Sequence, residues 1–382
     1  MAVCPPHNCA CLLLVLAAVT ITVTTGQNSA IVFPGVREED CTVGRCLPAD
    51  ECHLSLSVAK ICGLQDQTLY VCCPAKPQEP ENTSGSNTVS SPVIDFECGH
   101  LASRSPPPDH PRAARSLGGV AVSPTTSWPW VALVGIRDEN GQNAQWRCVG
   151  SLVHPQWVLT ALHCFFSELF NVVRLDEHDF SDPDDGALHH DIEIADVVFH
   201  PNHVNSENYN DLALLRLAHP VPPRDTIMPV CLPWGSEMLR DLIGRDLTYT
   251  GWGDTQFGGM RSPVLMELNM TLFPSQTCDE SYSTLLSYIN YPRGIDDSFL
   301  CLGHPDGGKS ACQGDSGGPL VYKEGGVYLL AGAISRGHGC GHPLYPGVHT
   351  NLRQREHMQW IKDTIWPQAQ DGATTTAAPA RR

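Results

Sequence analysis

The chain has 382 residues, 42% hydrophobic and 17% charged, an ordinary globular mix long enough for one large domain with small additions. Its formal net charge of −17 argues against non-specific binding to nucleic acid or to anionic membranes. The 17 cysteines point to an oxidising compartment.

In chain order, the first element is an apolar run from Leu12 to Val23 followed by the small residues Thr24 and Gly26. It is shorter than the roughly 20 residues a bilayer span needs, and although its start lacks Lys and Arg it reads as a secretory signal peptide over 1–26, cut near Gly26–Gln27. No other segment approaches spanning length, so a secreted, extracellular protein without a membrane partner is expected. Cys4, Cys9 and Cys11 fall in this leader and leave an even set behind. Six of those crowd into 41–73, as Cys41, Cys46, Cys52, Cys62, Cys72 and Cys73. So short a stretch cannot bury an adequate core unaided, and the absence of CxxC spacing argues for disulfides over zinc. Sequence alone leaves their pairing open. Residues 74–115 are rich in Pro, Ser, Thr and Asn with no hydrophobic period and read as a flexible linker. Sequons stand at Asn82-Thr83-Ser84 in the linker and at Asn269-Met270-Thr271 beyond it, both candidate glycosylation sites.

Beyond the linker, runs such as Trp130–Val134 and Val327–Ala331 are short, β-prone and bounded by Gly, Pro and Asn. Many such strands predict an all-β unit of closed barrels. Met358, Ile361 and Ile365 share one side of a helical spacing over Arg355–Ile365, which predicts a C-terminal helix. The remainder, 367–382, is low-complexity and expected to be disordered.

Three segments carry chemistry. Gly314-Asp315-Ser316-Gly317-Gly318-Pro319 presents a serine between glycines, where the hydroxyl is unhindered and backbone N–H groups can converge on an oxyanion. Leu159-Thr160-Ala161-Leu162-His163-Cys164 sets a histidine against a cysteine, and Asn210-Asp211-Leu212-Ala213-Leu214-Leu215 sets an aspartate at the head of an apolar strand. A serine hydroxyl is a poor nucleophile at neutral pH; it needs an adjacent base, and the base needs orienting. His163 would take the proton of Ser316 and pass it to the leaving amine, with Asp211 holding the imidazole in the right tautomer. The N–H groups of Gly314 and Ser316 would form the oxyanion hole. The order His, Asp, Ser along the chain separates this arrangement from those of subtilisins and α/β-hydrolases.

With Trp128-Pro129-Trp130, Pro229–Pro233, Gly251-Trp252-Gly253 and Pro346-Gly347-Val348, residues 116–366 resemble the trypsin/chymotrypsin family of serine endopeptidases. The resemblance implies two six-stranded antiparallel β-barrels with the catalytic residues in the cleft between them. It also implies the bridges Cys148–Cys164, Cys278–Cys301, Cys312–Cys340 and Cys98–Cys231. The Cys72-Cys73-Pro74 ending resembles the clip domain found ahead of arthropod serine proteases, implying Cys41–Cys72, Cys46–Cys62 and Cys52–Cys73. By that likeness the protein is a zymogen of an innate-immune, melanisation or Toll-type cascade. Its partners would be protein substrates, an upstream activating protease and a serpin-type inhibitor. The alternative, a non-catalytic clip-domain homologue acting as a cascade cofactor, usually lacks a triad residue; this chain has all three.

Specificity and activation depart from the trypsin pattern. Where trypsin-like relatives carry an aspartate six residues before the nucleophile, this chain has Ser310. With Gly337 and Gly347 keeping the walls open and Ser335 beside them, such a pocket gains by burying an apolar side chain but cannot compensate a buried cation. The expected preference is for large apolar or aromatic residues. Arg336 stands where the family usually has tryptophan, which points the upstream subsites toward acidic side chains. In family zymogens a new α-amine pairs with the aspartate before the nucleophile, here Asp315. The best-matching cut is Arg115–Ser116, ahead of Leu117-Gly118-Gly119; counting back from Trp128 gives Leu117 as first residue, and Arg112 and Arg104 are secondary candidates. No cofactor is expected. Glu177-His178-Asp179 with Asp182, Asp184 and Asp185 resembles the calcium loop of some relatives, but the loop's downstream glutamate is not evident and a solvated acidic turn is preferred.

Overall fold

A computed structural model describes residues 87–104, 118–138, 144–222 and 224–367, together with three strands near the start. Those three are β1 (Gly44–Pro48), β2 (Lys60–Gln65) and β3 (Thr68–Pro74), an antiparallel sheet in the order β1-β3-β2 with Cys46 opposite Cys72. They belong to a unit of their own, residues 1–85. The leader, the three clip-type bridges, Asn82, Arg112, Arg115, Ser116 and the tail lie outside the described residues and side chains.

The second unit, 86–382, carries the barrels. The two-residue strands β4 (Ala102–Ser103), β5 (Val120–Ala121) and β6 (Thr126–Ser127) lead into it. The first barrel is built from β7 (Val131–Arg137), β8 (Ala144–His154), β9 (Trp157–Thr160), β10 (Val172–Leu175), β11 (His190–Phe199) and β12 (Ala213–Leu217), closed by the pairing of β10 with β7. The second uses β13 (Asp246–Gly251), β14 (Met266–Phe273), β15 (Phe299–Gly303), β16 (Pro319–Glu324), β17 (Val327–Arg336) and β18 (Gly347–Asn351). It closes through β13, which pairs with both β14 and β16, while β5 adds to β14 from outside. The expected all-β pair of six-stranded antiparallel barrels is therefore present.

The apolar runs explain the closure. Val131 to Val134 are all buried, as are Leu212 to Leu215; a strand with neither face in water reads as a continuous hydrophobic run. One core cluster joins these residues to Trp252, Val321, Leu330 and Ala333 from the second barrel's side, so apolar burial is continuous across the seam between the barrels. Each fully buried Leu or Val contributes roughly 1.5–3 kcal/mol. Helix α1 (Ser275–Tyr282) is tied to β15 by Cys278–Cys301, and α2 (Arg355–Ile365) buries Met358, Ile361 and Ile365 against the first cluster, as its spacing predicts.

One expectation needs correction. Residues 87–104, read as part of a flexible linker, are held against the protease unit. Val89 is buried, Cys98 is bridged to Cys231, and Gly99 donates to the Pro229 carbonyl and accepts from the Tyr328 N–H. Arg104, considered as a cut site, buries its guanidinium in an ion pair with Asp176. A protease pocket cannot take a side chain that the fold already holds. Composition hid this because the segment is anchored by a few specific groups, not by a hydrophobic period.

Candidate active site

His163 lies on a one-turn 3-10 helix (Leu162–Phe165) directly after β9, where Cys148–Cys164 holds that turn to β8. Asp211 precedes β12. Its neighbour Asn210 has φ 56°, a left-handed turn that asparagine tolerates better than most residues, and the His357 ring bonds the Asn210 side chain at 2.9 Å. Ser316 sits in the loop before β16. These elements from both barrels bring His163 Nδ1 to 2.6 Å from Asp211 Oδ2, and His163 Nε2 to 2.8 Å from Ser316 Oγ.

Asp211 is fully buried yet well provided. Its Oδ1 accepts the His163 backbone N–H at 2.8 Å, and its Oδ2 accepts the Ser335 hydroxyl as well as the ring. Burial by itself would raise its pKa, but the His163 charge and these hydrogen bonds hold it well below the usual carboxylate range. An ionised carboxylate aligned on Nδ1 leaves Nε2 to act as base toward Ser316. Ser335, read from sequence as a pocket residue, does line the cleft, but its hydroxyl serves Asp211.

Gly314 and Ser316, the residues expected to form the oxyanion hole, share the loop before β16. Gly314 has φ 88° and the following turn is closed by Asp315 N–H to the Cys312 carbonyl at 3.1 Å. Among the described residues no acceptor takes the N–H of Gly314 or of Ser316, so both remain open to an oxyanion. Two residues that sequence reasoning passed over support this loop. Arg261, largely buried, donates from Nη2 to the Gly314 carbonyl and from Nε to the Trp252 carbonyl, both at 2.9 Å, and from Nη1 to Trp146. Tyr249 donates its hydroxyl to Asp315, which also accepts Gly253 N–H at 2.6 Å and Cys312 N–H at 2.7 Å. Burial raises Asp315 to about 6 against these donors and the nearby Arg261 charge. Neither Arg261, in a glycine-rich loop, nor Tyr249, within a strand, carries a local motif.

A cavity of about 270 Å³ opens next to His163 and Ser316. Ser310, Ala311, Gly337, Gly347, His349 and Arg336 are among its lining residues, and among the described residues no carboxylate is. Cys312–Cys340 braces one wall. Ser310 is thus where the sequence puts it, with its hydroxyl donated to the Ala311 carbonyl. His349 was not anticipated. In the acidic turn after β10 the carboxylates face local partners: Glu177 takes Arg174 and the His178 N–H, Asp185 takes Asp179 N–H and Ala187 N–H, and Asp182 takes Asp184 N–H. Among the described residues no group of three His, Cys, Asp or Glu is placed to hold a metal ion. Asn269 is exposed on β14.

The arrangement can carry out acyl transfer by an activated serine, and comparison with known proteins agrees. The family model described as Trypsin matches residues 117–361. The chain is 31% identical to a proclotting enzyme of Tachypleus tridentatus over 385 residues, covering 92% of this chain and 96% of the relative. It is 35% identical to a venom protease of Bombus pensylvanicus (59% and 90% covered) and 34% identical to a clotting factor G beta subunit of Tachypleus tridentatus (75% and 88%). The chain belongs to the trypsin family and is a serine endopeptidase of the arthropod type.

Proposed function

We propose that this endopeptidase is secreted as a zymogen and works in an extracellular proteolytic cascade of the innate-immune, melanisation or Toll type, cleaving proteins after large apolar or aromatic residues. The observation that carries the reading is a bonded triad opening onto a cavity with no carboxylate in its lining. A cationic side chain entering there would lose its hydration without a counter-charge, whereas an aromatic one gains by burial. Arg336 lines the same cleft, and its guanidinium charge favours acidic residues upstream in the substrate. Relatives named for clotting and venom support the cascade and the secretion. Asp315, a buried carboxylate held at about 6, is suited to take a cation such as the α-amine freed by cleavage after Arg115. An upstream protease would make that cut and a serpin-type inhibitor would end activity. Calcium at the acidic turn remains a secondary proposal, tested by chelation.

The test is labelling by a fluorophosphonate before and after limited cleavage, followed by peptide-library profiling and N-terminal sequencing of the labelled species. Labelling confined to Ser316 in the cleaved chain, lost in Ser316→Ala, supports the proposal; equal labelling of the uncut chain refutes zymogen status, and preferred hydrolysis after Arg or Lys refutes the pocket reading.

A further inference from the structure

The lining of the cavity beside Ser316 includes a buried histidine that the triad does not use. His349 lies on β18, is 4% exposed and lines the cavity together with Ser310, Gly337 and Gly347. Its ring is fixed from behind: the Ser335 backbone N–H donates to Nδ1 at 3.2 Å. A nitrogen that accepts a hydrogen bond carries no proton, so the neutral ring holds its proton on Nε2. Burial keeps this imidazole neutral at physiological pH, pushing it down to about 3.

Gly347 shows where the Nε2–H lies. A Cβ on Gly347 would stand 2.3 Å from His349 Nε2 and 2.7 Å from Cε1, so the polar edge of the ring passes flush against this glycine of the pocket wall. The opposite glycine, Gly337, faces open space, since a Cβ there would meet only the Gly339 carbonyl at 3.4 Å. The cavity therefore has broad glycine walls and a fixed N–H donor on β18, besides the Arg336 and Gln313 side chains in its lining. It also has one acceptor, because the Ser310 hydroxyl spends its own proton on the Ala311 carbonyl and keeps its lone pairs. A phenol matches that pair: its oxygen accepts from Nε2–H and its proton goes to Ser310 Oγ, while the ring fills the space between the walls.

We infer that His349 is a specificity-determining residue that makes this pocket select tyrosine over phenylalanine and leucine before the scissile bond. The inference rests on the endopeptidase reading above and narrows its substrate class. Discrimination arises because a phenylalanine ring would displace water from the Nε2–H and leave that donor without a partner, which is the more costly half of hydrogen-bond recognition. Glutamate gains no charge from the neutral ring, and selection of it through the Arg336 guanidinium, which also lines the cavity, is an outcome the peptide set separates. Lysine and arginine are disfavoured because no carboxylate lines the cavity.

The test uses the activated full chain and peptides that differ only in Tyr, Phe, Leu, Gln, Glu or Arg at that position. Tyr should exceed Phe in kcat/KM by about tenfold. In His349→Phe the ratio should fall to about one, and His349→Gln, which keeps a donor, should restore most of the preference. A wild-type ratio of one or less, best cleavage after Gln, Glu or Arg, or an unchanged ratio in His349→Phe overturns the inference. The wild-type comparison decides even if His349→Phe fails to fold. Fluorophosphonate labelling separates the two levels: labelled Ser316 with Phe preferred sinks the pocket inference alone, and unlabelled Ser316 sinks the endopeptidase reading on which it rests.

Discussion

Gly317→Ala should disable the site. Gly317 follows the nucleophile at φ 80°, and an added Cβ would stand 2.0 Å from Thr160 Oγ1, 2.5 Å from the Val149 carbonyl and 2.6 Å from Ala161 N. These are the first-barrel atoms that lead to His163. Thr160 Oγ1 is bonded to the Val149 carbonyl at 2.7 Å, and Val149 N–H to the Ser316 carbonyl at 2.9 Å, so little there can give way. A left-handed alanine costs about 1–2 kcal/mol and overpacking about 1–3 kcal/mol, together a fall in Tm of roughly 5–15 °C for a unit of this size. The activity loss should be larger. Relief of the clash moves Ser316 away from His163, and a misplacement of about 1 Å costs on the order of 100-fold. Gly325→Ala supplies the control, because Gly325 has φ 58° but nothing within 4 Å of an added Cβ; it should cost only the conformational part and leave the chemistry alone. The assay pairs thermal unfolding with the rate of fluorophosphonate labelling of Ser316. Wild-type labelling in Gly317→Ala, or an equal loss in Gly325→Ala, would refute the steric account.

Four further outcomes are expected. Ser335→Ala removes one donor from Asp211 and should lower kcat by about tenfold with little change in KM, with Ser335→Thr restoring it; steady-state kinetics decide. Arg104→Met strands the Asp176 carboxylate with Thr226 as its remaining side-chain donor and should cost about 3–5 kcal/mol in calorimetry, whereas adding Asp176→Leu should recover much of the loss. Cleavage after Arg115 should give two chains that migrate together on gels without reductant and apart with it, since Cys98–Cys231 still joins them. Because burial lowers His349 from 6.5 to about 3, its contribution to stability is complete above pH 6.5 and is lost as pH falls toward 3. At pH 5 this amounts to about 2 kcal/mol, and urea titration of His349→Leu should show a correspondingly flatter decline between pH 6.5 and 5.

What could be read from the sequence, and what could not, divides along one physical line. His163, Asp211 and Ser316 each sit in a short local pattern, and the barrel strands and α2 each bury a face with a local period, so neighbours in the chain suffice to find them. Arg261, Tyr249 and His349 act through partners far away in sequence. Arg261 reaches Gly314 from the loop between β13 and β14, Tyr249 meets Asp315 from the adjoining barrel strand, and His349 takes its tautomer from a backbone N–H on β17. The same holds for residues 87–104, whose polar composition conceals a disulfide, a buried valine and a buried ion pair. Gly347 makes the distinction concrete. From the sequence it reads as a glycine that leaves room for substrate, and it does border the cavity; yet its missing side chain also makes room for the edge of His349. A glycine reports that something approaches closely. Only the fold says that here the approaching group includes an imidazole, and that converts a pocket expected to sort substrates by size and apolarity into one equipped to sort them by a hydroxyl.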